Sequence, residues 1–165
     1  MLRFGTIGSG WICDEYIHGA KASGLWELTA VYSRTKERAE EYARRHGAKY
    51  AFTNLEEMAA SDCIDAVYIS SPNALHYEHS KAFLERGKHV ICEKPLCAQA
   101  SKVRELQRIA QEHGAVFLEA IMYLHLPQRK LLEDTLQQLG QFSLVKLDFC
   151  QRSSKLDRYL QGELP

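Results

Sequence analysis

Short runs of β-prone residues alternate along this chain with longer stretches of helical period, and glycine marks most of the junctions. Leu2 to Ile7 reads as a strand and Trp11 to Ser23 as a helix. Glu27 to Tyr32 and Thr35 to His46 repeat the pair, with Gly47 placed to end the helix. TNLE, Thr53 to Glu56, has the form of a capping box opening a short helix. Next come a strand at Ala66 to Ser70 and a helix at Asn73 to Arg86, closed by Gly87. A strand at His89 to Cys92, a helix at Ala100 to His113 closed by Gly114, and a strand at Ala115 to Ala120 follow. Parallel strands need long crossovers, and a helix supplies each one here. The pattern predicts an α/β domain, a doubly wound parallel sheet with helices on both faces.

After Ala120 the rhythm changes. Pro127 to Leu139 reads as a helix ended by Gly140, and Phe142 to Cys150 alternates like a half-buried strand. The last stretch, QRSSKLDRYLQGELP, is polar and offers no partner element. A lone strand cannot bury its own face. The expected organisation is a Rossmann domain over residues 1–122, then the truncated start of a second α/β domain over 123–165.

The charges exclude some partners. Lys and Arg number 21, Asp and Glu number 21, and the pI is ≈ 7.0. Binding to nucleic acid or to an anionic membrane surface calls for a basic excess, so neither is expected. No apolar run approaches the roughly 20 residues of a membrane span. MLRFGTIG enters a strand directly, without the layout of a secretory signal. Cysteines 13, 63, 92, 97 and 150 form no CxxC pair and no framework spacing. That points to a reducing compartment and a cytoplasmic protein, with no metal site expected.

The chemistry concentrates at strand ends. GTIGSGWIC puts Gly8 and Gly10 at the first strand–helix junction, with Cys13 in the third small position. Gly8 permits a tight turn, and Gly10 lets backbone approach a pyrophosphate at the helix N-terminus. The second strand ends in Ser33, Arg34 and Thr35, where an NAD-selective site usually has an acid for the ribose. A hydroxyl and a guanidinium suit a 2′-phosphate better, which favours NADP over NAD. SSPNALH, Ser70 to His76, brings Asn73 and His76 to the same rim, since loops at the carboxyl ends of parallel strands face the ligand crevice. HVICEKPL then delivers Glu93 and Lys94 to the end of a buried strand and stops it with Pro95.

Together GTIGSGWI, SR, SPNALHYEHSKAFLERGKHVICEKPL and FLEAIMYLHLP resemble the Gfo/Idh/MocA family of NAD(P)-dependent oxidoreductases. The likeness is close from Leu2 to about Pro127 and continues through Phe149, with EKP after GKHV its most specific element. It implies hydride transfer between nicotinamide and a sugar, polyol or diol. Lys94 is implied as the catalytic residue, hydrogen-bonded to the reacting substrate hydroxyl, and Glu93 as the group positioning the nicotinamide ribose end. Cofactor contacts are implied at Gly8, Gly10, Trp11, Ile12, Ser33, Arg34, Ser71, Pro72, Asn73, His76, Glu93, Lys94 and Met122. The resemblance also implies a cis Lys94–Pro95 bond.

Family members carry a second, mostly antiparallel domain that closes the substrate side and usually makes the oligomer. The 165-residue chain is therefore expected to bind NADP(H) without turning over, and a homo-oligomer is left open. Two other readings remain at this stage: a non-catalytic dinucleotide-binding module or sensor, and a protein interaction domain using the Phe142 to Cys150 edge.

Overall fold

A computed structural model describes residues 1–153 and 156–162. Six strands form one sheet in the order β3-β2-β1-β4-β5-β6, and every pairing is parallel. They are β1 (Leu2–Ile7), β2 (Trp26–Tyr32), β3 (Tyr50–Phe52), β4 (Ala66–Ile69), β5 (His89–Cys92) and β6 (Phe117–Glu119). The crossovers are α1 (Trp11–Ser23), α2 (Lys36–His46), α3 (Leu55–Ala60), α4 (His76–Leu84) and α5 (Ala100–Glu112). This is the doubly wound order of a Rossmann fold, with its switch point between β1 and β4.

Alternation along the strands sorts the core into two layers. Phe4, Leu28, Val31, Ala66 and Tyr68 pack with Cys13 and Ile17 of α1 and with Tyr42 and Ala43 of α2. Ile7, Ala30, Val67, Ile69, Val90 and Cys92 meet α3, α4 and α5 through Met58, Phe83, Leu84, Leu106 and Ile109. Helix α2 shows why it sits there: Ala39, Tyr42, Ala43 and His46 are buried at helical spacing on one stripe. Gly47 (φ 75°) closes α2 where the sequence places it, whereas α4 is capped at Glu85 and Gly87 (φ 69°) turns the chain beyond it.

The structure departs from the sequence reading in several places. Strand β3 was not anticipated, because YAF is too short to show a period. The cap of α3 is Asn54, not Thr53; its side chain accepts from the N–H groups of Glu56 and Glu57. The segment after β4 begins with a 3-10 turn (Asn73–Leu75) before α4. Phe142 to Cys150 forms no strand, and Leu147 and Phe149 are each 91% exposed. Among the described residues it has no partner strand, and a ladder needs two.

The chain divides into two compact units, Met1–Ala120 and Ile121–Pro165. The second contains a 3-10 turn (Met122–His125), α6 (Gln128–Leu139) and α7 (Leu156–Leu160) among its described residues. Helix α7 lies in the polar stretch from which no element was expected; residues 154–155 and 163–165 of that stretch lie outside the described residues.

One ion pair joins the sheet's amino-terminal edge. The backbone N–H and Nε of Arg3 both donate to Asp65 Oδ2, at 2.9 and 3.1 Å. The Arg3 hydrogen bond holds the Asp65 carboxyl down at about 2, against an ordinary 3.8. A lowered folded-state pKa stabilises above the unfolded value and is lost as pH falls toward the folded one. Asp65→Asn should therefore cost about 1 kcal/mol at pH 7, solvent screening included. In urea unfolding curves the gap between variant and parent should close between pH 4 and pH 2.

Candidate functional site

Register fixes the site. Ile7 is level with Tyr32 on one side and Ile69 on the other, and Ile69 is level with Cys92. The residues that follow these four leave the sheet along one edge: Gly8 after β1, Ser33 after β2, Ser70 after β4 and Glu93 after β5. The carboxyl edge at a switch point is where open α/β sheets bind ligands.

The glycine turn fits a dinucleotide by two observations. Gly8 has φ +121°, and a Cβ there would lie 2.3 Å from Ser70 Oγ and 2.9 Å from Ser70 O. Only glycine lets the turn lie this close to the end of β4. Gly10 is the N-cap of α1, is extended (φ −87°), and gives the helix no side-chain cap. A Cβ at Gly10 would meet nothing within 4 Å. The N-terminus of this 13-residue helix thus has no side-chain cap and room at its N-cap, which suits a pyrophosphate. Cys13 is fully buried and seats α1 on the sheet. Trp11 is exposed and Ile12 half-buried.

At the end of β2, the Ser33 N–H donates to Phe52 O of β3 at 3.0 Å, which fixes the direction of the loop. Arg34 is exposed, and no described hydrogen bond or ion pair uses its guanidinium. Sequence reasoning missed two arginines of the helix that follows. Arg38 and Arg45 of α2 line a cleft of ≈ 190 Å³ with Ser9, Glu41 and Tyr42. Asp14 of α1 braces that wall, accepting from Tyr42 Oη at 2.7 Å and from Arg45 Nη2 at 2.9 Å. Burial opposes the Asp14 carboxylate, but Tyr42 and Arg45 outweigh it and hold its pKa below the usual range. The signal was present: Arg38 and Arg45, both on α2, are seven apart and share one face of the helix.

Beyond β4, Pro72 and Asn73 are exposed and Ser71 is half-buried. His76 is 1% exposed. Its Nδ1 lies 2.8 Å from Pro95 O and its Nε2 2.8 Å from Ser71 O. Both ring nitrogens thus face backbone carbonyls, one on each loop. The ring therefore serves the site by fastening the loop after β4 to the turn after β5, and does not present a free polar edge.

The Lys94–Pro95 bond is cis. Glu93 and Lys94 make no ion pair with each other, in keeping with their opposite directions on extended chain. Glu93 instead accepts from Tyr68 Oη at 2.7 Å. Lys94 is exposed and its ammonium has no described partner. Met122, 70% exposed, belongs to the second unit and is the one candidate outside the first. Among the described residues no group of three His, Cys, Asp or Glu could hold a metal, and no helix is long and apolar enough to cross a membrane.

Residues 2–120 match the model of the oxidoreductase family with the NAD-binding Rossmann fold. The chain belongs to the Gfo/Idh/MocA oxidoreductase family. It is 44% identical over 162 residues to scyllo-inositol 2-dehydrogenase (NADP(+)) IolU of Bacillus subtilis, covering 98% of this chain and 49% of that protein. It is 43% identical to the uncharacterized oxidoreductase YgjR of Escherichia coli, covering 100% of this chain and 50% of that one. Among solved structures, KijD10, a 3-ketoreductase from Actinomadura kijaniata in complex with NADP, superposes with a TM-score of 0.78 at 33% identity. That likeness covers 83% of this chain and 44% of the other. The chain spans about half the length of the curated relatives it matches.

Proposed function

We propose that this chain is the cofactor-binding part of an NADP(H)-linked oxidoreductase acting on an inositol, a sugar or a related polyol. The observation that carries this reading is the single sheet edge on which the glycine turn, Arg34 and the Glu93–Lys94 pair all emerge. The bound nicotinamide supplies hydride chemistry. Gly8 and Gly10 admit the pyrophosphate, Ser33 and Arg34 read the 2′-phosphate, and Glu93 orients the nicotinamide ribose. Lys94 holds the substrate oxygen and moves its proton, a role supported by an ammonium without a described partner. The 44% identical relative is named for NADP(+) and scyllo-inositol, which supports both the cofactor preference and a ring polyol as substrate. All five cysteines are free thiols, which supports a reducing, cytoplasmic setting.

Cofactor choice is the testable part. Arg34→Ala should weaken NADP(H) binding by about 1 to 3 kcal/mol, the range of a charge-assisted hydrogen bond, and barely change NAD(H). Calorimetric titration of both cofactors decides it. Equal losses for the two would show that Arg34 does not read the phosphate.

A further inference from the structure

Tyr68, a large polar side chain in the central strand β4, is 2% exposed. Its neighbours in β4 are aliphatic, so apolar burial alone does not call for a hydroxyl there. Strand register explains where the hydroxyl goes. Tyr68 is level with Ile91 of β5, and Glu93 lies two residues further along the same face. Diagonal neighbours at that offset are within reach of a long aromatic side chain. The phenol donates to Glu93 Oε1 at 2.7 Å, and Glu93 Oε2 accepts from the Lys94 N–H at 3.3 Å.

The phenol is itself held. Tyr16 of α1 stacks on its ring at 3.8 Å between centroids, with the planes 3° apart. Both rings belong to the core layer that seats α1. Burial, then the bond to Glu93, pushes the Tyr68 phenol up, so it stays a neutral donor across the working pH range. A chain of contacts thus runs from α1, whose N-terminus carries the glycine turn, through Tyr16 and Tyr68 to Glu93.

We propose that Tyr68 is a positioning residue that sets the Glu93 carboxylate for the nicotinamide ribose end of the cofactor. The proposal rests on the reading of Glu93 given above. A neutral donor suits the task better than a cation. It fixes one carboxylate oxygen without neutralising the charge, and it leaves the Lys94 ammonium unpaired. Removing the hydroxyl alone should release the carboxylate while the stacked ring remains.

The test compares two probes on the 165-residue chain: NADPH, and adenosine 2′,5′-bisphosphate, which has the adenosine end and no nicotinamide ribose. Tyr68→Phe should raise the Kd for NADPH about 10-fold or more, as for a lost hydrogen bond to a charged group. The Kd for the bisphosphate should stay within about twofold, because its site lies at the other end of the crevice. Glu93→Ala should weaken NADPH similarly, and adding Tyr68→Phe to it should cost little more. Equal losses for both probes would make Tyr68 merely structural and overturn the proposal. A loss in Glu93→Ala without one in Tyr68→Phe would overturn it while leaving the role of Glu93 intact. No loss in Glu93→Ala would overturn the reading of Glu93 and the proposal with it. Thermal melts of each variant confirm that folded protein is compared.

Discussion

Lys94→Met should cut NADP-linked turnover by about 10² or more and leave cofactor affinity within about twofold, the weight of a positioned proton-transfer group. Three observations set that expectation. Lys94 follows a strand whose last residue, Cys92, is fully buried, so its backbone is anchored. His76, itself buried, bonds to the carbonyl of Pro95 and holds the turn from the other side. The neighbouring Glu93 is engaged by Tyr68, so no carboxylate in the described structure claims the ammonium. Methionine keeps the length of the stem and removes the charge and the proton. The measurement is steady-state oxidation of inositols, sugars and diols by this chain joined to the substrate-binding half of a full-length relative. Undiminished turnover would remove Lys94 from the mechanism.

Gly10→Asp should abolish measurable NADP(H) binding, a loss of about 100-fold or more, while the fold is kept or slightly strengthened. The two effects separate because one position does two things. Gly10 is the N-cap of α1 and provides no side-chain bond. Aspartate is among the best N-caps, typically worth a few tenths of a kcal/mol over glycine, and its carboxylate also favours the helix dipole. A Cβ at this position meets no protein atom within 4 Å, so the fold has room for the new side chain. The carboxylate would occupy the place a phosphate needs and repel it. A melting temperature at or above the parent's, with cofactor binding gone, is the expected pair of results. Retained binding would mean that the α1 terminus is not the pyrophosphate seat.

Much of this was legible in the residues, for physical reasons that can be named. Bounds of β1, α1 and β5 follow from the sequence because periodicity, glycine caps and Pro95 all agree there. The first strand–helix junction gave the Gly8 turn and family resemblance the EKP element, and the structure sets both on one edge. What the sequence concealed was mostly tertiary. Strand β3 has three residues and owes its existence to the exposed edge of β2. The tie between Tyr68 and Glu93 spans 25 positions and appears only once β4 and β5 are paired in register. His76 looks like a pocket residue on paper, but a buried ring between two loops is a fact of packing. The alternation from Phe142 to Cys150 looked like a strand because period is local, whereas a ladder requires a partner.

The central claim is that the carboxyl edge of this sheet seats a phosphorylated dinucleotide, and calorimetric titration of NADPH into the purified chain tests it most directly. The predicted result is saturable binding at one site in the micromolar range, roughly −8 kcal/mol, absent in Gly10→Asp. Heats that do not saturate, or equal affinity in parent and variant, would contradict it.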